Sequence, residues 1–120
     1  MQEIFFFDDG PAPLPKKDVH IDHVKAHPYP DGKRVQVTIT LSPFLEKPNL
    51  AIRINDHNNE VIVTAEVLEP ISVTTEITLH IKPSSPQLSH SLIVDLYYEQ
   101  DEPQDTKSVD FYPSDEAPTS

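Results

Sequence analysis

The sequence predicts an all-β domain, two antiparallel sheets packed face to face and built from about seven strands. Three observations predict it. Arg34 to Leu41 alternates without a break, with Val35, Val37, Ile39 and Leu41 on one side and Arg34, Gln36, Thr38 and Thr40 on the other. A period of two is the side-chain repeat of a pleated strand, and one apolar face with one wet face implies an antiparallel sheet covering a core on one side. The same alternation recurs in later segments separated by Pro-, Asn- and Asp-rich breaks. Finally, 13 Pro against 2 Gly, with Val, Ile and Thr abundant, suits strands joined by stiff connections.

Residues 1–17 form a leader. Ile4-Phe5-Phe6-Phe7 precedes Asp8-Asp9, and Gly10 to Pro15 reads as an extended polyproline-like connection. From Asp18 to Lys25 a first strand alternates weakly, with Val19 and Ile21 inward, and ends before the turn signal Ala26-His27-Pro28-Tyr29-Pro30-Asp31-Gly32. The Arg34–Leu41 strand follows, stopped by Pro43. Leu50, Ile52 and Ile54 mark a third strand, and Asn55-Asp56-His57-Asn58-Asn59 a hairpin loop, since Asn and Asp tolerate positive φ. Val61, Val63, Ala65 and Val67 mark a fourth. After Glu69-Pro70 a strand runs from Val73 to Lys82, with Val73, Ile77, Leu79 and Ile81 inward and Thr75 the polar exception. Ser91 to Glu99 sets Leu92, Val94, Leu96 and Tyr98 against Asp95, Tyr97 and Glu99. The last strand opposes Lys107, Val109 and Phe111 to Ser108, Asp110 and Tyr112, leaving 113–120 as a polar tail. Val37, Ile39, Ile52, Val63, Leu79, Val94 and Leu96 are the expected centre of the core.

Composition excludes several function classes. A formal net charge of −11, with no basic stripe, argues against nucleic acid and anionic membrane as partners. The absence of Cys removes disulfides, thiolate metal sites and cysteine nucleophiles without fixing a compartment. Ile4–Phe7 is too short for a signal h-region and sits between Glu3 and Asp8-Asp9. No run approaches the roughly 20 apolar residues of a membrane span, so a soluble chain is expected.

Between Asp18 and Tyr112 the strand number, their spacing and the long strand after Glu69-Pro70 resemble an immunoglobulin-like or fibronectin type III-like sandwich. Neither a core Trp nor a Cys pair is present, and Leu88-Ser89-His90-Ser91 stands where a corner Tyr would sit. A C2-like or jelly-roll sandwich meets the same pattern. The resemblance implies a binding module or spacer rather than an enzyme.

Candidate chemistry is sparse. His20, His23 and His27 would share a face on a helix, but Val19, Ile21 and Pro28 indicate a strand, where His20 and Asp22 share a face and His23 points away. Glu99, Asp101, Glu102 and Asp105 offer hard oxygen ligands in one loop, weakly, since no Asp-x-Asp-x-Asp-Gly pattern accompanies them and Pro103 stiffens the middle. No cofactor or metal is therefore expected. No nucleophile elbow, phosphate loop or zinc-protease motif occurs, and no two acids point inward, so no catalysis is expected.

Two functional expectations follow. One is a non-catalytic module for protein–protein interaction or structural spacing, binding a protein partner or a second copy through Ile4, Phe5, Phe6 and Phe7. The other is a loop-based calcium or small-ligand binder. Within the leader, the four apolar residues suit a strand folding back on its own sheet, a docking segment for another chain, or a free tail.

Overall fold

A computed structural model describes residues 12–83, 85–99 and 102–113. Seven strands follow one another: β1 (Ile21–Pro28), β2 (Arg34–Leu41), β3 (Asn49–Asn55), β4 (Val61–Leu68), β5 (Thr74–His80), β6 (His90–Tyr97) and β7 (Asp105–Phe111). They make a three-stranded sheet in the order β1-β2-β5 and a four-stranded sheet in the order β4-β3-β6-β7, every pairing antiparallel. The all-β, two-sheet architecture expected from alternation is what forms, and it is consistent with a generic immunoglobulin-like sandwich. Its fourth strand pairs with the third, whereas in immunoglobulin constant domains the fourth joins the sheet of the first, second and fifth.

The core lies where the inward rows of the central strands meet. Val35, Val37, Ile39 and Leu41 of β2 face Leu50, Ile52 and Ile54 of β3 and Leu92, Val94 and Leu96 of β6, all essentially buried. Each such side chain contributes about 1.5–3 kcal/mol by leaving water. Burial falls toward one flank. On the other flank β1 lies against β7 and closes the sandwich, but β5 and β4 make no comparable approach. Val63, Ala65 and Val67 of β4 and Ile77 of β5 are accordingly only half-buried.

Four sequence expectations need correction. β1 begins at Ile21 and continues through Ala26, His27 and Pro28, pairing Pro28 with Val35. Pro28 is tolerated because β1 is an edge strand, where a missing N–H takes no bond out of the sheet. Val63 belongs to the half-covered flank and not to the buried centre. Val73 precedes β5 and is 38% exposed. Tyr97, on the outer face of the larger sheet, is buried all the same, and its O–H donates to Glu66 Oε2 at 3.2 Å. Burial, and after it the Glu66 carboxylate, pushes that phenol's pKa up.

The connections gather at two ends. At the entry end lie residues 12–20 and the β2–β3, β4–β5 and β6–β7 connections. The β1–β2, β3–β4 and β5–β6 connections share the turn end. In the β3–β4 hairpin Asp56 Oδ1 accepts from the Asn58 and Glu60 amides at 2.8 and 3.0 Å, and Asn59 takes φ +66°, the left-handed backbone its amide side chain favours. Pro15 keeps the extended, polyproline-like backbone read from the sequence, at φ −65° and ψ 158°. Leu14 N–H donates to Pro43 O at 3.1 Å and Leu14 O accepts from Leu45 N at 3.2 Å, so this part is pinned to the β2–β3 connection.

The register makes adjacent positions on β2 unequal. Ile39 is fully buried between the sheets and Thr38 looks outward. Ile39→Ala is expected to cost about 2–5 kcal/mol in chemical denaturation and Thr38→Ala less than about 1. Equal losses would mean that β2 is out of register.

Candidate functional site

The acidic connection between β6 and β7 is placed by hydrogen bonds of its own. Asp105 opens β7, and its Oδ2 accepts from Ile21 N–H at 2.8 Å. Ile21 sits where the β1–β2 register shifts, so its buried amide needs an acceptor from outside the ladder. Beside it Gln104 Nε2 donates to Lys16 O and Val19 O, both at 2.8 Å, and Gln104 N–H donates to Leu96 O at 2.7 Å. Residues 104 and 105 thus clasp the last strand to the first across the two sheets. Glu99 and Glu102 are exposed, and Asp101 lies outside the described residues. No three His, Asp or Glu side chains converge on a metal position among the described residues.

The histidines do not converge either. His20 Nδ1–H donates to Asp18 O at 2.9 Å and Nε2 meets Asp22 Oδ1 at 3.0 Å. The Asp18 carbonyl first, and then the Asp22 carboxylate, hold its pKa above the usual imidazole value. His27 lies on β1 opposite Gln36. Ile4, Phe5, Phe6 and Phe7, the partner-binding candidates, lie outside the described residues.

One concavity is a feature that sequence reasoning missed. At the turn end a groove of about 800 Å³ runs between the β1–β2 turn, the start of β4 and the chain leaving β5. Asp31 shapes its first wall. Its Oδ1 accepts from Lys33 N–H at 2.8 Å, its Oδ2 from Arg34 Nε at 3.0 Å, and the Arg34 guanidinium lies 4.3 Å above the Tyr29 ring. The Lys33 amide first, then Arg34, hold the Asp31 carboxyl below the ordinary Asp value. Gly32 turns the chain at φ +70°, where a side chain would be strained. The second wall is tied to the first by Ile81 N–H donating to Lys33 O at 2.8 Å. Ile62, Ile81 and three prolines make much of the lining apolar, and Lys33 and Lys82 add two cationic side chains. The Pro-Asp-Gly turn was visible in the sequence, but its juxtaposition with Ile62 and Lys82 depends on contacts across the fold.

A smaller hollow of about 160 Å³ lies on the outer face of the larger sheet, over Ala51. Glu66 and Asp95 occupy the strands on either side of Ala51 in one row of the sheet. Both carboxylates are engaged, Glu66 by Tyr97 and Asp95 by Arg53 Nη1 at 3.3 Å and Thr106 Oγ1 at 2.6 Å.

No protein-family model matches the chain, and no curated protein matches it in sequence. Solved structures do match in fold. The chain is similar to part of the Parabacteroides merdae β-glucuronidase, with a TM-score of 0.60 and 11% identity over 79% of this chain and 14% of that one. It is likewise similar to part of the Bifidobacterium dentium β-glucuronidase complexed with coumarin-3-O-glucuronide, with a TM-score of 0.60 and 12% identity over 79% of this chain and 18% of that one. A glycosyl hydrolase family 2 member from Bacteroides cellulosilyticus gives 0.56 and 20% over 78% and 14%. At these identities the likeness is one of fold, and the chain spans less than a fifth of each neighbour.

These matches correct the functional expectations drawn from the sequence. In place of a self-standing interaction or spacer module, or a loop-based calcium or small-ligand binder, the fold is one that glycosidases carry as a small part of a much longer chain.

The clasp gives Asp105 a measurable role. Asp105→Ala is expected to lower unfolding free energy by about 1–3 kcal/mol, the cost of leaving a buried amide without its charged acceptor. Asp105→Asn, which keeps an acceptor oxygen, should lose less, and added calcium should change neither variant. Calcium stabilisation of the parent that Asp105→Ala abolishes would show an ion site instead.

Proposed function

We propose that the chain is an accessory sandwich domain of a glycoside hydrolase of the family 2 kind, working beside a catalytic domain that it does not itself contain. The carrying observation is the match of 79% of this chain, at a TM-score of 0.60, to segments making up 14% and 18% of two β-glucuronidases. On this reading the assembled enzyme acts on β-glycosides, β-glucuronides among them, and the sandwich supports the fold around the catalytic domain.

The side chains agree with a supporting role. Glycoside hydrolysis by most families needs two carboxyl groups flanking the scissile bond, one of them free to donate a proton. Asp31 is the one carboxylate lining the turn-end groove among the described residues, and Arg34 and the Lys33 amide already hold it. Glu66 and Asp95 line a small hollow on the outer face of the larger sheet and are bound to neighbours. Neither place supplies a water-excluding cleft with an unengaged acid, so the chemistry is assigned to the rest of the enzyme.

The test is fractionation of a native extract by size, following this chain with an antibody and hydrolysis with 4-nitrophenyl β-D-glucuronide and other 4-nitrophenyl β-glycosides. The chain is expected in fractions that hydrolyse one of these substrates, at a mass far above its own. Elution at its own mass apart from any activity would overturn the proposal, as would hydrolysis by the purified chain alone.

A further inference from the structure

The turn-end groove carries a second inference, one that rests on the accessory-domain reading. Its walls are set before anything enters it. Tyr29 N–H donates to Arg34 O at 2.9 Å and Gly32 N–H to Tyr29 O at 3.0 Å, closing the β1–β2 turn. The bond from Ile81 N–H to Lys33 O ties the chain leaving β5 to that turn. Half-buried Ile62, with Pro30, Pro83 and Pro86, supplies apolar surface. Proline rings and a branched Ile lose little side-chain freedom when covered, so ordering this lining costs little.

The charges suit an acidic partner. In the register that pairs Val35 with Leu79, Lys33 stands opposite the buried Ile81, and alternation sets it on the sheet-facing side with Val35. Lys82 follows Ile81 on the other wall. Among the described residues neither ammonium takes part in an ion pair. Asp31 is already held by the Lys33 amide and by Arg34 Nε. The net charge of −11 repels an acidic partner at long range, but screening confines each charge to about 8 Å at physiological salt. A segment seated in the groove therefore answers chiefly to Lys33 and Lys82.

We propose that the catalytic domain docks in this groove through a protruding segment. It sets an Asp or Glu against Lys33 and Lys82 and an apolar side chain against Ile62, Ile81 and the prolines. An anchor filling an apolar pocket, oriented by complementary charge, lets few residues fix an interface. The matched segments are 14% and 18% of the two β-glucuronidases, so on the accessory reading most of the enzyme lies outside this fold and supplies that segment. A free inorganic anion would leave the apolar wall bare.

The test applies a water-soluble carbodiimide, which joins lysine amines to carboxylates in contact, to the high-mass fraction that hydrolyses the 4-nitrophenyl substrates. Peptide mass spectrometry is expected to find Lys33 or Lys82 joined to an Asp or Glu of the catalytic domain, in preference to the exposed Lys25 and Lys107. In the same fraction, combining Lys33→Glu with Lys82→Glu should speed deuterium exchange of the Gly32, Ile62 and Lys82 amides at least about tenfold. The same substitutions should leave exchange in the isolated chain unchanged. An active fraction that contains the chain but yields no such cross-link, or protection unmoved by the substitutions, would overturn the docking inference and leave the accessory reading standing. Cross-links from Lys33 to a second copy of this chain would overturn it too. Absence of the chain from every active fraction would overturn the reading and the inference together.

Discussion

Everything else in this fold depends on the burial of one strand face, the row Val35, Val37, Ile39 and Leu41 of β2. It is central in the smaller sheet and meets the central strands β3 and β6 of the larger one, so its side chains lose all or nearly all contact with water. β2 is bonded on both sides, to β1 and β5, and a slip by one residue would turn four apolar side chains to solvent and four polar ones into the core. That constraint fixes the register of the smaller sheet. It also sets the faces that β3 and β6 must present, and their buried rows answer it position by position.

The two flanks of the sandwich are finished differently. On one, β1 lies against β7, and Asp105 and Gln104 bind the start of the first strand to the start of the last. The hydrogen bonds there are part-buried and link residues more than eighty positions apart, so they act on topology and not on local conformation. On the other flank β4 and β5 each bond to one strand among the described residues, and Val63, Ala65, Val67 and Ile77 are half-covered. The crossover between them turns at Glu69, which takes φ +51° without being glycine while its N–H donates to Asn49 Oδ1 at 3.1 Å. Left-handed backbone at a residue of this kind is costly, and the neighbouring bond and the buried Pro70 hold it in place.

What could be read from the sequence follows the range of the physics. Alternation is local, so the strands and the fully buried rows of β2, β3 and β6 were legible, as was positive φ in the Asn-rich hairpin. Pro28 misled because whether proline ends a strand depends on whether that strand is an edge, a property of the whole sheet. Val63 misled because its face is inward but its flank is uncovered. Tyr97 looked solvent-facing by parity, yet the outer face around Glu66 buries it. Of the proposed ion ligands, Asp105 turned out to serve an amide 84 residues away, a pairing that no spacing rule contains. The turn-end groove was invisible for the same reason, since Lys33, Ile62 and Lys82 meet only after folding. Likeness to glycosidases was out of reach because, at 11–20% identity, it resides in backbone path and not in residues.

The central claim is that stability is graded from the β2–β3–β6 centre to the open β4 edge. Residue-resolved native-state hydrogen exchange across a series of low denaturant concentrations tests it most directly. The account predicts that amides bonded within β2, β3 and β6 exchange only through global unfolding, while those of β4 open through a smaller transition with a weaker denaturant dependence. Protection of β4 equal to that of β3, with the same denaturant dependence, would contradict it.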